Sequence, residues 1–216
     1  MNGRMSFLLA VALAVSAPAA LASESTATPA ATATVVSVKL ADARAAQRDL
    51  WIGHVFWVRN VVDATFDGDA AAAKAAEGQV VANAKALAGS IEPFYGKAAS
   101  EKLFTLLAGH WGAIKGYLDA THAGDGAKAD ASFKDLLKNA DEIAAFLGGA
   151  NPNLPVDALK GLLAAHGSHH VQQIKQFEAK QFDAEAKTWA AMTGHMYVIA
   201  DALADGIAKQ FPDKFR

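Results

Sequence analysis

After residue 38, apolar residues recur at three- and four-residue intervals, and β-branched residues rarely alternate with polar ones. That period belongs to helices rather than strands. It predicts six of them, over roughly 40–66, 70–94, 98–122, 127–148, 155–179 and 183–210. The breaks fall at turn residues: Gly68-Asp69, Gly96, Gly124-Asp125, and Gly148-Gly149 followed by Asn151-Pro152-Asn153-Leu154-Pro155. Each stops one helix and starts the next. Phe211-Pro212 closes the last helix, and the acidic turns read as helix caps.

A longer period lies over the helical one. His54, His110 and His166 are spaced 56 residues apart, and so are Asn83, Asn139 and His195. Asp63-Ala64-Thr65 recurs as Asp119-Ala120-Thr121, and Leu106-Leu107-Ala108 recurs as Leu162-Leu163-Ala164. A fixed period of this length marks a repeated supersecondary unit. The expected fold is therefore all-α: an up-and-down bundle of three αα-hairpin repeats, six helices in all. Its four-helix core would be made by the first, third, fifth and sixth helices.

The repeat also sets a height. The midpoint of His54 and Asn83 falls at Gly68-Asp69, and that of His110 and Asn139 at Gly124-Asp125. Residues equidistant from a hairpin turn lie level, so the six marked residues should form one layer. At a rise of 1.5 Å per residue the layer would lie about 20 Å from each turn. The histidines occupy apolar stripes: Leu50, His54, Trp57, Val58, Val61; Leu103, Leu107, His110, Ile114; Leu159, Leu163, His166, His170; Met192, His195, Ile199. That spacing points each ring inward.

A single histidine on an apolar face is more often a hydrogen-bonded core residue than a ligand. Four at one level must satisfy eight ring nitrogens together, which a metal ion, a haem or the neighbouring Asn amides can do. The candidate metal ligands are His54, His110, His166 and His195. His170 lies one turn after His166, a chelating spacing, and His169 adjoins it. Met192 and Met196 flank His195. Thioether with imidazole favours copper, so copper stands ahead of zinc, with haem as the alternative cofactor. A buried polar layer that only fixes helix register, in a structural or interaction domain, is the remaining reading. Trp51, Trp57, Trp111 and Trp189 lie near the histidines as packing residues or as a wall for a flat ligand. Arg59 and Asp201 sit within apolar stretches, as a buried ion pair or facing solvent.

Several chemistries are excluded by pattern. A carboxylate-bridged di-iron site needs Glu-x-x-His pairs. The residues three before the histidines are Trp51, Leu107, Leu163 and Met192, none acidic. No glycine-rich phosphate loop opens a helix, and no nucleophile stands beside a base. The pattern leans away from an enzyme. The chain has no cysteine, which removes thiolate ligands, iron–sulfur clusters and covalent haem attachment. Net charge is −2 and the 20 basic residues are scattered, unlike a nucleic-acid surface.

The start of the chain reads as a secretory signal peptide over 1–22: Arg4, the apolar run Phe7 to Val15, then Ala20-Leu21-Ala22. That run is too short for a stable membrane anchor. Residues 23–38 read as a flexible leader and 39–216 as the bundle domain. The expected location is periplasmic or secreted.

Several segments resemble an uncharacterised family of small helical bacterial proteins. They are Leu50-Trp51 with His54, Phe56-Trp57 and Arg59; Pro93-Phe94-Tyr95-Gly96; Leu106-Leu107 with His110; and Asn139-Ala140-Asp141-Glu142-Ile143. Asn151-Pro152, His166, Ala200-Asp201 and Gln210-Phe211-Pro212 with Phe215 continue the likeness. The resemblance implies the helical fold. Some relatives carry an amino-acid-kinase label, a reaction that needs an α/β nucleotide fold. Relatives often have Glu just before the helical histidine, where this chain has Gly53, Gly109 and Ala165. That departure argues against a carboxylate-containing site.

Overall fold

The computed structural model describes residues 38–216. The expected signal peptide lies outside the described residues, as does the leader up to residue 37. The helices are α1 (Val38–Phe66), α2 (Ala70–Ser90), α3 (Glu92–Tyr95), α4 (Lys97–His122), α5 (Gly126–Ala150), α6 (Val156–Glu178) and α7 (Phe182–Gln210). A 3-10 turn, Pro212–Lys214, follows. Among the described residues there is no strand. The fold class is all-α, as the apolar period predicts.

One expected helix is broken. Residues 70–94 divide at Ile91 into α2 and α3. Pro93 has no N–H and its ring would strike the carbonyl of Gly89, so the helix ends and restarts around it.

The turns α1–α2, α4–α5 and α6–α7 share one hydrogen-bond pattern. Asp69 N donates to Ala64 O, Asp125 N to Ala120 O, and Gln181 N to Gln176 O, at 2.8–2.9 Å. These six-to-one bonds need a left-handed residue just before the donor. Gly68 (φ 76°) and Gly124 (φ 71°) supply it in the first two turns. Lys180 (φ 54°) supplies it in the third, at the strain a side chain brings to that region. Asp69 and Asp125 then cap α2 and α5 by accepting from Ala72 N and Lys128 N. The acidic turns are helix caps, as expected.

The inner position belongs to three helices. α1, α4 and α6 touch one another, and each remaining long helix lies against two of them. α2 packs on α1 and α4, α5 on α4 and α6, and α7 on α6 and α1. The sixth long helix, α7, therefore flanks the centre as α2 and α5 do, which narrows the expected four-helix core to three. α7 buries a wide apolar stripe all the same, including Met192, Met196 and Ile199.

The apolar core is divided in two. One cluster includes Trp51, Val55, Ala84, Leu107, Ala140, Leu163 and Met192. The other includes Val58, Val80, Trp111, Leu136 and Ile174. On α4 and α6 the boundary falls at a histidine, and on α1 it falls between Val55 and Val58, just past His54. Val55, Val58, Val61 and Val62 of α1 have no exposed surface. Burial of each contributes roughly 1.5–3 kcal/mol.

Much of the sequence that carried the family resemblance closes one end of the bundle. Tyr95 donates its hydroxyl to Gln210 and accepts from the Asn151 amide. Gln210 donates onward to Ala150 O. Phe94 stacks on Phe215 and lies beside Phe211. These residues hold α3, the α5–α6 loop and the C-terminal turn together, which is a structural task.

Arg59 and Asp201 both form ion pairs, though not with each other. Asp201 takes a two-point contact from Arg48, and Asp205 takes one from Arg44, along the α1–α7 seam. Such exposed pairs contribute about 0–1 kcal/mol each. Arg59 grips Glu185, which is only 2% exposed, through two bonds of 2.7 Å. Gln173 donates to the same carboxylate. The Arg59 guanidinium also lies over Phe177 and Trp189. No helix among the described residues is long and apolar enough to cross a membrane.

Candidate metal centre

Each inner helix contributes one histidine to the boundary between the two apolar clusters. His54 comes from α1, His110 from α4 and His166 from α6, and all three are buried. Their rings converge. Centroids are 6.3 Å apart for His54–His110 and 5.5 Å for both His54–His166 and His110–His166, the last pair stacked. One nitrogen from each lies within 4.8 Å of the others, close enough to hold a metal ion. His170 joins from the next turn of α6, 4.5 Å from the His166 ring and 5.7 Å from that of His54. Trp51 walls the cluster on its other side, edge-on to His54 and His166.

The outer helices orient the inner ones through one repeated contact. Asn83 Nδ2 donates to Leu50 O, Asn139 Nδ2 to Leu106 O, and the His195 Nε2–H to Leu162 O. Each acceptor lies one turn before its histidine. Gly53 and Gly109 leave room for the two amides: a Cβ there would stand 3.0 and 3.1 Å from the amide nitrogens of Asn83 and Asn139.

The second hairpin completes the contact. Asn139 Oδ1 lies 3.2 Å from His110 Nδ1. Its Nδ2 is committed to Leu106 O, so the ring must be the donor. The proton then sits on Nδ1, and Nε2 keeps the lone pair a metal needs. In the first hairpin Asn83 Oδ1 is buried without a partner. In the third, His195 makes the donating half of the contact and has no amide oxygen to offer His166. Both His166 nitrogens are buried and unpartnered, as are both of His170.

Burial sets the charge state. Desolvation, with a smaller contribution from His110, lowers the pKa of His54 to about 3. Desolvation lowers that of His110 to about 4 against the raising effect of Asn139. His166 and His170 are held well below the usual histidine range by burial and by the neighbouring rings. All four are neutral at pH 7 and carry lone pairs.

Several expected site residues lie apart. His195 is half-buried beside His169, ring centroids 5.4 Å apart, outside the group of three. Met192 is fully buried in the apolar cluster that holds Trp51 and Val55. Trp111 donates to Glu77, Trp57 packs against Phe56, and Trp189 lies under Arg59. Glu185 is buried as well, and its place in the helical pattern foretells it. The signal was there: Glu185, Thr188, Met192, Met196 and Ile199 form one helical stripe, so its carboxylate had to point inward.

Asn139→Ala tests the orientation. It removes the acceptor of a buried ring N–H and is expected to cost about 1–3 kcal/mol. Urea unfolding measures this; an unchanged midpoint would show that the amide orients nothing.

No family model, curated protein or solved structure matches this chain. The resemblance to small helical bacterial proteins rests on the sequence segments alone.

Proposed function

We propose that this is an exported protein that binds one transition-metal ion, copper ahead of zinc, through His54, His110 and His166, with His170 as fourth ligand. The observation that supports the reading is the convergence of three buried histidines, one from each inner helix. Four buried nitrogens of His166 and His170 lack partners, each at a cost of roughly 1–3 kcal/mol. Ligation repays part of that cost. At metal–nitrogen bonds of 2.0–2.1 Å, tetrahedral ligands stand about 3.3 Å apart, so the rings need to close by an ångström or so. Rotation of His54 that brings its Nδ1–H to Asn83 Oδ1 would satisfy that orphan oxygen and copy the His110–Asn139 contact.

Copper is preferred on charge. The group of three contains no carboxylate, and Glu185 is committed to Arg59. A monovalent ion among neutral ligands leaves less uncompensated buried charge than a divalent one. Imidazole suits both copper and zinc. Haem fits less well, because a flat slot between two axial rings is filled here by the third. Export is supported by the signal-like pattern over 1–22, and buffering or delivery of the ion is the role that suits a closed site without an open position for substrate.

The test is stoichiometry. Purified protein, stripped and then loaded with copper(I) under reducing conditions or with zinc, is expected to retain about one ion per chain after gel filtration. Elemental analysis reads this, and no retained metal with either ion rejects the proposal.

A further inference from the structure

The inner cluster is buried, with His54 6% and His166 1% exposed, so an ion must pass surface groups to reach it. The wall between α6 and α7 differs from the others. Where the first two hairpins carry asparagine, the third carries His195, half-buried, and its neighbour His169 is half-buried too. Their rings are 5.4 Å apart. His169 Nδ1 is buried and has no hydrogen-bond partner. The Nε2–H of His195 is committed to Leu162 O. That contact leaves Nδ1 with the free lone pair and holds the ring still, the arrangement in which a histidine ligates best.

The pair adjoins the inner cluster by covalent and spatial links. His169 precedes His170 on α6. His195 stands in the third hairpin where Asn139 stands in the second, and Asn139 touches its hairpin's inner histidine. His195 also bonds to Leu162 O, one turn before His166 on α6. Imidazoles on the α6–α7 side thus stand at two depths: His169 and His195 half-buried, His166 and His170 buried. Among the described residues no comparable outer histidine pair flanks α2 or α5.

We propose that His169 and His195 form a second, weaker site for the same class of ion, and that this outer pair passes the ion to the inner histidines. The proposal rests on the inner site proposed above. Two ligands hold an ion less tightly than three or four, so the ion moves inward by ligand exchange, each imidazole replacing another. No oxidation or bond cleavage is involved.

The design of the chain supplies the right variant. His195→Asn restores the residue found in the other two hairpins, so it keeps the contact to Leu162 O and removes the ring nitrogens. His169→Ala removes the other ligand from a half-buried position. Loading is followed by stopped-flow with copper(I) supplied from a chromophoric chelator, and with zinc as second probe. Each variant is expected to slow loading at least about 10-fold while final stoichiometry and equilibrium affinity stay within about 2-fold of wild type. Equal loading rates in both variants and wild type overturn the proposal. A second measurement uses chain carrying His54→Ala and His166→Ala, in which two of the four inner ligands are gone. It is expected to retain weak binding of one ion, lost on adding His169→Ala. Absence of that weak binding also overturns the outer pair. Failure of the inner site reads differently: wild type would bind no more tightly than the double variant, whatever the variants at 169 and 195 do.

Discussion

Replacing His54 and His166 together by alanine is expected to abolish tight metal binding and leave the helices in place. These two rings lie 5.5 Å apart, come from different inner helices, and belong to the group of three whose nitrogens converge. Their loss leaves only His110 and His170 of the four proposed ligands. Affinity for copper(I) or zinc is expected to fall by more than about 100-fold, beyond the 10–100-fold that follows from losing an outer orienting partner. Helical content by circular dichroism should be retained, because alanine has the highest helix propensity. The apolar clusters on either side are untouched. Competition against a chelator of known affinity reads the metal half of the result. Equal affinity in wild type and double variant would place any bound ion elsewhere. The histidine layer would then serve to fix helix register, as buried polar groups do in some bundles.

The metal-free protein is expected to lose stability steeply as pH falls below about 6.5, the usual histidine value. The unfolded chain takes up protons there. The folded chain refuses them, because burial lowers His54 to about 3 and His110 to about 4. The unfolded state therefore binds more protons in this window, and stability rises with pH. Above the window both states are neutral and stability is level. Between pH 7.5 and pH 5, His54 and His110 each remove about 2 kcal/mol. His166 and His170, also lowered by burial, act in the same direction. The sum is comparable with the whole stability of a domain, about 5–15 kcal/mol. Urea unfolding of stripped protein at the two pH values measures it. Equal stabilities would mean that the rings are protonated or solvated in the folded state. Bound metal should oppose the effect, since ligation stabilises the folded state by mass action, until protons compete for the ligands.

The sequence by itself determined the helices, because a three-to-four-residue apolar period and glycine or proline breaks act locally. It placed the α1–α2 and α4–α5 turns at Gly68 and Gly124, where a left-handed residue is required. It also placed the histidine layer, since the 56-residue spacing fixes heights once hairpins form, and His54, His110 and His166 do meet. Sequence height, however, carries no information about direction around a helix axis to better than a wide stripe. Only the tertiary structure decided that α1, α4 and α6 are inner and α7 flanks them. That choice turns His195 to a backbone carbonyl beside His169, brings His170 to the cluster, and sets Met192 within the apolar core. It likewise decided the ionic partners. The partners Arg48 and Asp201 are 153 residues apart and Arg59 and Glu185 126 apart across the α1–α7 seam, and no local pattern states which will meet. Charge pairing across helices depends on which faces pack, and packing is settled by the whole core at once.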